Sequence, residues 1–417
     1  MTSEPIVAAL DIGTAHTTAL VATVHGDLPR APRVKVLGVG QSRTMGLRRG
    51  AVSDIEEATR SIRAAVEDAC RHAGVQPDGL YVGIAGEHVR AMNSSGVVAI
   101  SGHEITRADV DRVNEVSRAM SIPQDRELLH AIPQEYTVDK ADGIRDPVGM
   151  IGARLETEMY LVTIGSAPAM NLRKAIERAG YRTRELVLEP LASALAVLTE
   201  EEKELGVVLI ELGAGPTDLD VFHEGKIRHL GTFPFGGHTV TSDLVQGLGV
   251  TQHDAELLKD AYGCAYEPLV DPSQVIAMPP SGNHGERHIP RELMTHIIHQ
   301  RMDEIFDKVQ RNVHAAGFTG RLNAGIVLTG GGARLEGIAE LAQDVFGMGV
   351  RIGVPGDKLD GLVEQVANPS HATVAGLALY GAHRMALGGV VARKPALSGV
   401  GVDKLASRVK TWLQDFF

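Results

Sequence analysis

Several features that mark other classes of protein are scarce or missing in this sequence of 417 residues. Only two cysteines occur, Cys70 and Cys264, and neither stands in a C-x-x-C or metal-ligand spacing, so we expect a reducing compartment and no disulfide framework. Basic residues number 41 against 52 acidic ones, and the net charge of −11 argues against a nucleic-acid partner, which would need a basic face. Aromatic residues make up only 4%, whereas the 47 glycines suit an α/β protein with many tight turns.

Long apolar runs are missing as well. No stretch approaches the roughly 20 residues that a helix needs to cross a bilayer. The N-terminal stretch MTSEPIVAALDIG has an acid and no basic run, and it leads straight into an apolar strand, so we expect no signal peptide. We therefore expect a protein that is made and kept in the cytoplasm, with two or more subdomains in a chain of this length.

Three glycine-rich turns, each directly after a short apolar strand, are the most informative feature present. We name them the first glycine turn (Asp11–Thr14), the second glycine turn (Glu211–Asp218) and the third glycine turn (Thr329–Gly332). Glycine at a strand end lets backbone N–H groups approach an anion closely, because no Cβ intervenes. The acid that opens the first two turns supplies the oxygen that a phosphate-bound Mg²⁺ needs. One DxG alone is more often an ordinary turn, but the three together indicate a nucleotide held between two halves of one fold.

The chain is predicted to form two α/β units around a smaller insertion. Apolar hairpins surround the first and second glycine turns, at 6–24 and 205–233, about two hundred residues apart, which indicates an internal duplication. Apolar residues recur at helical spacing over 55–73 and predict a helix there. Residues 86–160 change to polar strands, one helix and a turn-rich segment at 128–160, which predicts an inserted subdomain.

The later part of the chain is predicted to continue as strands and helices. The segment Val187-Leu-Glu-Pro190 leads into the small-residue helix LASALAVL, which suits close packing at a hinge. We further predict, in order, a strand at 161–164, a helix at 167–179, two helical stretches around a loop at 278–290, helices at 335–346 and 371–386, and a flexible linker at 388–401.

The duplicated hairpins, the hinge helix and the late TGGG turn together resemble the actin–Hsp70–sugar kinase superfamily. Within it, the chain is similar over nearly all its length to the FtsA family of bacterial cell-division proteins. The residues that carry this resemblance are LLHAIPQEY (128–136), GIRDPVG (143–149), ELGV (204–207) and AGIVLTGG (324–331). The first two lie in the insertion and separate this family from chaperones and kinases better than the glycine turns do.

The resemblance implies an α/β, actin-like two-lobed ATPase fold of duplicated ribonuclease-H-like halves, with an inserted small subdomain and a C-terminal amphipathic helix. The implied parts are a first lobe at 1–84 with 164–196 and 366–387, the inserted subdomain at 85–163, a second-lobe base at 197–230 with 308–365, an outer subdomain at 231–307, a linker at 388–401 and a membrane-targeting helix at 402–417. We refer to the inserted subdomain as the insert.

The resemblance also implies a site for ATP and Mg²⁺, with Asp11 and Glu211 holding the metal through water. The residues implied to border the nucleotide are Asp11, Gly13, Thr14, Ala15 and His16 at the first turn, Glu211, Gly213, Ala214, Gly215 and Gly237 at the second, Gly330, Gly331, Gly332 and Arg334 at the third, and Glu256 and Lys259 at the ribose. Glu256 and Lys259 are three residues apart in a predicted helix, so an exposed helical ion pair is an alternative for them.

Hydrolysis is expected to be slow. Glu189 is the candidate to position a water on the γ-phosphate, a recurring need in phosphoryl transfer, although Glu-Pro is equally a plain helix start. The second turn has Glu211 where the family usually has Asp, and Pro216 removes a backbone N–H. His16 stands where many relatives have Lys. These departures favour binding over catalysis.

The last sixteen residues carry a second functional signal. At 100° per residue their apolar side chains fall within an arc of roughly 140°, and Lys404, Arg408 and Lys410 line the other side. A membrane-surface helix is the favoured interpretation and a helix docked on the globule is the alternative. The apolar residues of the arc are Val402, Leu405, Val409, Trp412, Leu413, Phe416 and Phe417.

By resemblance, the expected role is to tether the FtsZ ring to the cytoplasmic side of the bacterial inner membrane at the division site, to self-associate into filaments and to recruit later division proteins. The amphipathic stretch 291–314 carries Arg301, a candidate contact for the FtsZ C-terminal peptide, with a solvated charged face as the alternative. A type IV pilus-assembly scaffold of the same fold and a sugar kinase are the competing interpretations.

Overall fold

A computed structural model describes residues 4–27, 31–48, 50–119, 122–278 and 287–392. Its strands, in chain order, are β1 (Ile6–Ile12), β2 (His16–Asp27), β3 (Ala31–Arg43), β4 (Leu47–Arg48), β5 (Ala51–Val52), β6 (Leu80–Ile84), β7 (Val89–Ala99), β8 (Arg126–Val138), β9 (Ala141–Ile144), β10 (Arg154–Gly165), β11 (Thr183–Leu188), β12 (Val207–Leu212), β13 (Thr217–His223), β14 (Lys226–Phe233), β15 (Val275–Met278), β16 (Arg287–Pro290), β17 (Ile326–Thr329), β18 (Val350–Ile352) and β19 (Leu359–Gly361).

The helices of the described residues are α1 (Ile55–Ala73), α2 (Arg107–Arg118), α3 (Ser166–Arg178), α4 (Glu189–Val197), α5 (Glu200–Leu205), α6 (Gly237–Leu248), α7 (Gln252–Tyr262), α8 (Arg291–Ala315), α9 (Ile338–Phe346) and α10 (Ala372–Ala392). Helix α1 lies where the spacing predicted it. The Asp54 side chain accepts a hydrogen bond from the Glu57 N–H at its start, and Gly74 ends it in the left-handed conformation with φ of 67°.

The two lobes share one arrangement of five strands, to which the first sheet adds β19 beside β3. The first sheet has the order β11-β6-β1-β2-β3-β19, in which β1, β2 and β3 are antiparallel neighbours and β6 and β11 are added in parallel. The second has the order β14-β13-β12-β17-β18, with an antiparallel β12-β13-β14 unit and parallel β17 and β18. The predicted two-lobed α/β fold with duplicated halves is therefore confirmed.

Both faces of the first sheet are covered. Helices α1 and α3 bury one face, whereas α10 packs on the other beside α4. In the second lobe, α6, α8 and α9 cover one face, and the other packs against α4 and the insert. Burial on both faces explains why β1 and β12 read as continuous apolar runs rather than as an alternation.

The insert is a four-stranded antiparallel sheet in the order β7-β10-β8-β9, with α2 packed on it. The prediction of a turn-rich segment at 128–160 was wrong, because most of it forms the long strands β8 and β10. Pro133 misled the pattern. It lies where the β8–β10 register shifts, so that a bulge accommodates a residue without an N–H inside a strand.

Two further predictions need correction. Residues 234–310 contain three helices rather than two, and the predicted loop at 278–290 is flanked by the hairpin strands β15 and β16, with residues 279–286 outside the described residues. Helix α10 continues to Ala392, so the predicted linker at 388–401 begins as helix despite its two glycines. The rest of that linker and the predicted helix at 402–417 lie outside the described residues.

Helix α5, which joins α4 to the second lobe, carries a buried cation. The Lys203 side chain is 2% exposed; its Nζ lies 3.4 Å from Oε1 of Glu200 and 5.9 Å from the centre of the Phe222 ring. Burial, with a smaller contribution from the charge of Lys358, lowers the pKa of Lys203 to about 7. The ammonium is therefore costly to keep charged at this junction.

We predict that Lys203→Met stabilises the protein more at pH 6 than at pH 9.5. The unfolded chain keeps the lysine proton up to about pH 10.4, whereas the folded chain releases it above about pH 7, so wild-type stability rises with pH across this window. The advantage of the variant should shrink by on the order of a few kcal/mol, measured by denaturant unfolding. Lys35→Met, at an exposed position of β3, is the control and should show no such trend. A pH-independent difference for Lys203→Met would refute the assignment.

Candidate functional site

The first and second glycine turns meet where the central strands of the two lobes end. Strand β1 leads into the first turn and β12 leads into the second. After each turn the chain returns along an antiparallel strand, which is β2 in the first lobe and β13 in the second. A Cβ placed on Gly215 would lie 2.5 Å from Oγ1 of Thr14, so the two turns are in direct contact only because residue 215 has no side chain. The carboxyl ends of strands from both lobes thus face one cleft, the place where open α/β sheets bind ligands.

The third glycine turn closes the same cleft from the side of β17, which runs parallel to β12. Gly330 has φ of +82°, and a Cβ there would lie 2.7 Å from the carbonyl oxygen of Leu212. A Cβ on Gly332 would lie 2.8 Å from Cβ of Leu212. Gly331 differs, because a Cβ on it would have no neighbour within 4 Å. The fold itself requires Gly330 and Gly332, whereas Gly331 borders open space.

The start of α6 supports the second turn. The Gly237 N–H donates to the carbonyl oxygen of Gly213 at 3.0 Å, and the next N–H donates to that of Ala214 at 2.7 Å. Lys259 of α7 reaches this point: its Nζ is 3.3 Å from the Gly237 carbonyl oxygen and 2.7 Å from Oε1 of Glu256. Lys259 is mostly buried, so the pair is not a purely exposed helical ion pair, and it lies beside the second turn.

Half-buried carboxyl groups of both lobes, those of Asp11, Glu189 and Glu211, lie at these turns. Burial raises the pKa of Asp11, and the charge of Glu211 raises it further. Burial likewise raises the pKa of Glu189 well above its usual range, with added repulsion from Asp11, Glu211 and Asp218. The Glu189 side chain passes over Gly83, where a Cβ would lie 2.8 Å from its Cγ. Acids packed this closely favour a bound proton or a cation among them.

Glu211 has one oxygen available for a further ligand. Its Oε1 accepts a hydrogen bond from Oγ1 of Thr373 at 2.6 Å, whereas its buried Oε2 has no partner among the described residues. Among the described residues, no three His, Cys, Asp or Glu side chains are grouped closely enough to hold a metal ion by themselves. The donor set therefore suits a cation that keeps several waters, as Mg²⁺ does.

Sequence reasoning missed two aspartates of β13. Burial raises the pKa of Asp218 to about 7, although its Oδ1 accepts a hydrogen bond from Thr232 at 2.7 Å. Asp220 is fully buried, and neither of its oxygens has a partner among the described residues. The signal was present, because the segment TDLDVF places two acids at alternate positions of a strand that is otherwise buried. Thr373, from the distant helix α10, had no comparable signal.

His16 and Arg334 are both exposed. After burial, the charge of Arg334 and then that of His16 lower the pKa of His371, so both side chains are within electrostatic range of His371. Ala15 lies between the first turn and β2, and its carbonyl oxygen accepts from the Thr44 N–H at 2.9 Å. The first-turn residues are thus close to the third turn, as a shared site requires.

Arg301 lies elsewhere, on α8. Its guanidinium already pairs with Asp243 of α6, at 2.6 and 3.1 Å, and with Glu304. The Arg301 side chain is 24% exposed, whereas Arg311 on the same helix is 77% exposed and pairs with Asp307. The predicted membrane residues Val402 to Phe417 lie outside the described residues.

Comparison with known proteins places these features in one family. A family profile described as "SHS2 domain inserted in FTSA" matches residues 86–163, and one described as "Cell division protein FtsA" matches 208–376. Curated relatives named "Cell division protein FtsA" include one from Pseudomonas aeruginosa, 38% identical over 100% of this chain and 99% of its own length. Another, from Escherichia coli K12, is 34% identical over 100% of this chain and 99% of its own length.

Solved structures share the fold at low sequence identity. The PilM–PilN type IV pilus biogenesis complex matches with a TM-score of 0.65 and 18% identity, covering 90% of this chain and 98% of that one. MreB5 of Spiroplasma citri bound to ADP matches with a TM-score of 0.54 and 14% identity, covering 90% and 96%. These similarities confirm an actin-like fold. Among the helices of the described residues, none combines the length and apolar character needed to cross a membrane.

We predict that Gly331→Val weakens ATP binding at least tenfold, or about 1.4 kcal/mol, without unfolding the protein. The valine has room within the protein but would enter the open cleft where a nucleotide is expected. Calorimetric titration measures the affinity and thermal melting checks the fold. Gly349→Val is the matched control, because it also meets nothing within 4 Å and lies at the far end of the sheet, beside β18. Unchanged affinity in a folded Gly331→Val variant would remove the third turn from the site.

Proposed function

Because this chain belongs to the FtsA family of actin-like cell-division proteins, we propose that it binds ATP and Mg²⁺ between its lobes, assembles into filaments on the cytoplasmic face of the membrane and holds the FtsZ ring there at the division site. The observation that carries the nucleotide part is the contact between the two acid-led turns across the cleft. The structure of MreB5, solved with ADP and sharing this fold, supports the same ligand class.

In this proposal, each group of cleft residues contacts a different part of the nucleotide. Backbone N–H groups of the first and second turns would meet the phosphates, and Asp11 and Glu211 would hold Mg²⁺ through water, since Glu211 has a free oxygen. The third turn would border the adenosine. Glu256 and Lys259 would reach the ribose from α7. Bound Mg²⁺ supplies charge neutralisation for the phosphates.

We expect ATP to bind tightly and to be hydrolysed slowly. Glu189 is half-buried and within electrostatic range of the acids of both turns, a position from which its carboxyl group would orient a water toward the γ-phosphate. The second turn, however, uses the Gly213 N–H internally, since it donates to the carbonyl oxygen of Pro216 at 3.0 Å. Pro216 itself has no N–H to offer. Fewer backbone donors for phosphate favour a slow ATPase.

The pilus-assembly alternative has one observation in its favour, the structural similarity to the PilM–PilN complex. At 18% identity that similarity shows only the fold, whereas the full-length relatives at 34 and 38% identity are cell-division proteins. The sugar-kinase alternative has no such support. The comparison therefore favours a role in cell division, and within the proposal the insert would contact later division proteins.

The simplest test of the tethering function changes single residues within the last sixteen positions of the chain. We predict that Trp412→Glu abolishes co-sedimentation with anionic liposomes, because an ion replaces a large interfacial aromatic at a cost of several kcal/mol. Lys410→Ala, on the opposite side of the predicted helix, should lose only about 1 kcal/mol, and only on anionic lipid. Both variants should still bind ATP. If Trp412→Glu pellets as wild type does, the anchoring role is wrong.

For FtsZ, we predict that Arg301→Glu weakens binding of the FtsZ C-terminal peptide at least tenfold, or about 1.4 kcal/mol. Since Arg301 already pairs with Asp243, this change could instead act by loosening α6 from α8. Asp243→Asn separates the two explanations in a fluorescence-anisotropy titration. It removes the charged partner on α6 while the pair with Glu304 remains, and it should leave peptide binding intact or stronger. Equal weakening by both variants would show that Arg301 is structural, and the site would then lie elsewhere.

A further inference from the structure

Strand β8 of the insert contacts both lobes. Near its start, Glu127 forms a two-fold ion pair with Arg173 of α3 in the first lobe, at 2.7 and 3.1 Å. Farther along, the buried Lys226 of β14 in the second lobe donates to the carbonyl oxygen of Pro133 at 3.1 Å. A single strand thus spans the junction between the lobes.

A second polar contact strengthens the second-lobe end. Arg228 of β14 donates to Oε1 of Gln134 at 3.3 Å, and Gln134 is itself buried. Apolar packing accompanies these bonds, since Ile132 shares one buried cluster with Phe222 and Ile227 of the second lobe. Movement of the second lobe relative to the first should therefore change the contacts that β8 makes with the two lobes.

Between these two contacts, His130 forms a hydrogen bond with the main chain at Leu188, the residue before Glu189. Its Nε2 accepts a hydrogen bond from the Leu188 N–H at 3.0 Å. Burial, and secondarily the charge of Arg384, lowers the pKa of His130 to about 4, so the ring is neutral near pH 7. A neutral imidazole that accepts at Nε2 carries its proton on Nδ1. Its acceptor role is then fixed across the physiological pH range.

Leu188 is the last residue of β11, and Glu189 is the first residue of α4. The Leu188 N–H is buried in this turn, so removal of its acceptor would leave an unsatisfied donor and let the turn shift. The carboxyl group of Glu189 would shift with it, away from Asp11 and Glu211. His130 therefore acts on the cleft through the backbone, and it belongs to the insert rather than to either lobe.

We propose that β8 is a strap that couples the nucleotide site to the insert, with His130 as the positioning residue that transmits this coupling through the Leu188–Glu189 turn. The inference rests on the proposed nucleotide-binding function and adds a route by which occupancy of the cleft reaches the insert. The strap is a continuous strand that contacts the first lobe at Glu127 and the second lobe at Pro133 and Gln134. A change in the angle between the lobes therefore acts on the segment between these contacts, which contains His130.

Hydrogen exchange with and without Mg–ATP tests the strap. In the wild type, nucleotide should slow exchange both at residues 186–191 and along β8. In His130→Leu, which offers no acceptor, ATP affinity should stay within about threefold, roughly 0.6 kcal/mol, while β8 no longer responds. His130→Gln should restore the response, because its Oε1 takes the place of Nε2. If the leucine variant does not fold, His130→Asn replaces it, since its amide is too short to reach the Leu188 N–H.

Leu128→Ala is the control on the same strand. It trims an exposed side chain and leaves the Arg173, Pro133 and Leu188 contacts in place, so β8 should still respond to nucleotide. A β8 that ignores bound ATP in the wild type, or that responds equally in His130→Leu, would overturn the strap and leave the nucleotide proposal standing. A wild type that binds no ATP would overturn the proposed function, and the strap with it.

Discussion

The close approach of the first and second glycine turns governs the arrangement of the whole cleft. It depends on the absence of a side chain at Gly215, which lets the second lobe's turn touch Thr14 of the first. That approach brings the half-buried Asp11 and Glu211 near one another, and burial together with the charge of Glu211 raises the pKa of Asp11. Ionised acids so placed repel each other unless a positive charge lies between them. In the proposed function, a nucleotide with its cation would satisfy both turns, since phosphate oxygens would meet backbone N–H groups and the cation would meet the carboxyl groups.

The parts of the fold that follow local rules were predictable from the sequence. Strands buried on both faces appear as unbroken apolar runs that end in an acid-led glycine turn or in GGG, and α1 had a capping aspartate, helical spacing and a terminal glycine. The insert was harder to predict. A proline inside β8 looks like a strand breaker, and only the bulge opposite β10 makes it acceptable. The double glycine near residue 388 looked like the start of a linker, yet α10 continues through it.

The site was predictable only where one segment carried the signal. The acids that open the two turns could be identified from the glycines that follow them. Asp218 and Asp220 lie within a strand and had no such motif. Thr373 reaches Glu211 from a helix more than 150 residues away. The contact of Arg301 with the FtsZ peptide stays a prediction. Its position on an amphipathic helix suggested that contact, and the fold adds a pair with Asp243 that the sequence did not predict. Long-range pairing of this kind has no local pattern in a single sequence.

The most direct test of the central claim is calorimetric titration of ATP with Mg²⁺ and with a chelator, on the wild type and on Glu211→Gln. The glutamine keeps an oxygen for Thr373 but replaces the free carboxylate oxygen with an amide that cannot serve a cation. The account predicts that chelation weakens wild-type binding at least tenfold, or about 1.4 kcal/mol, and that Glu211→Gln loses most of this Mg²⁺ dependence. Equal affinity under all four conditions, or no binding at all, would contradict it.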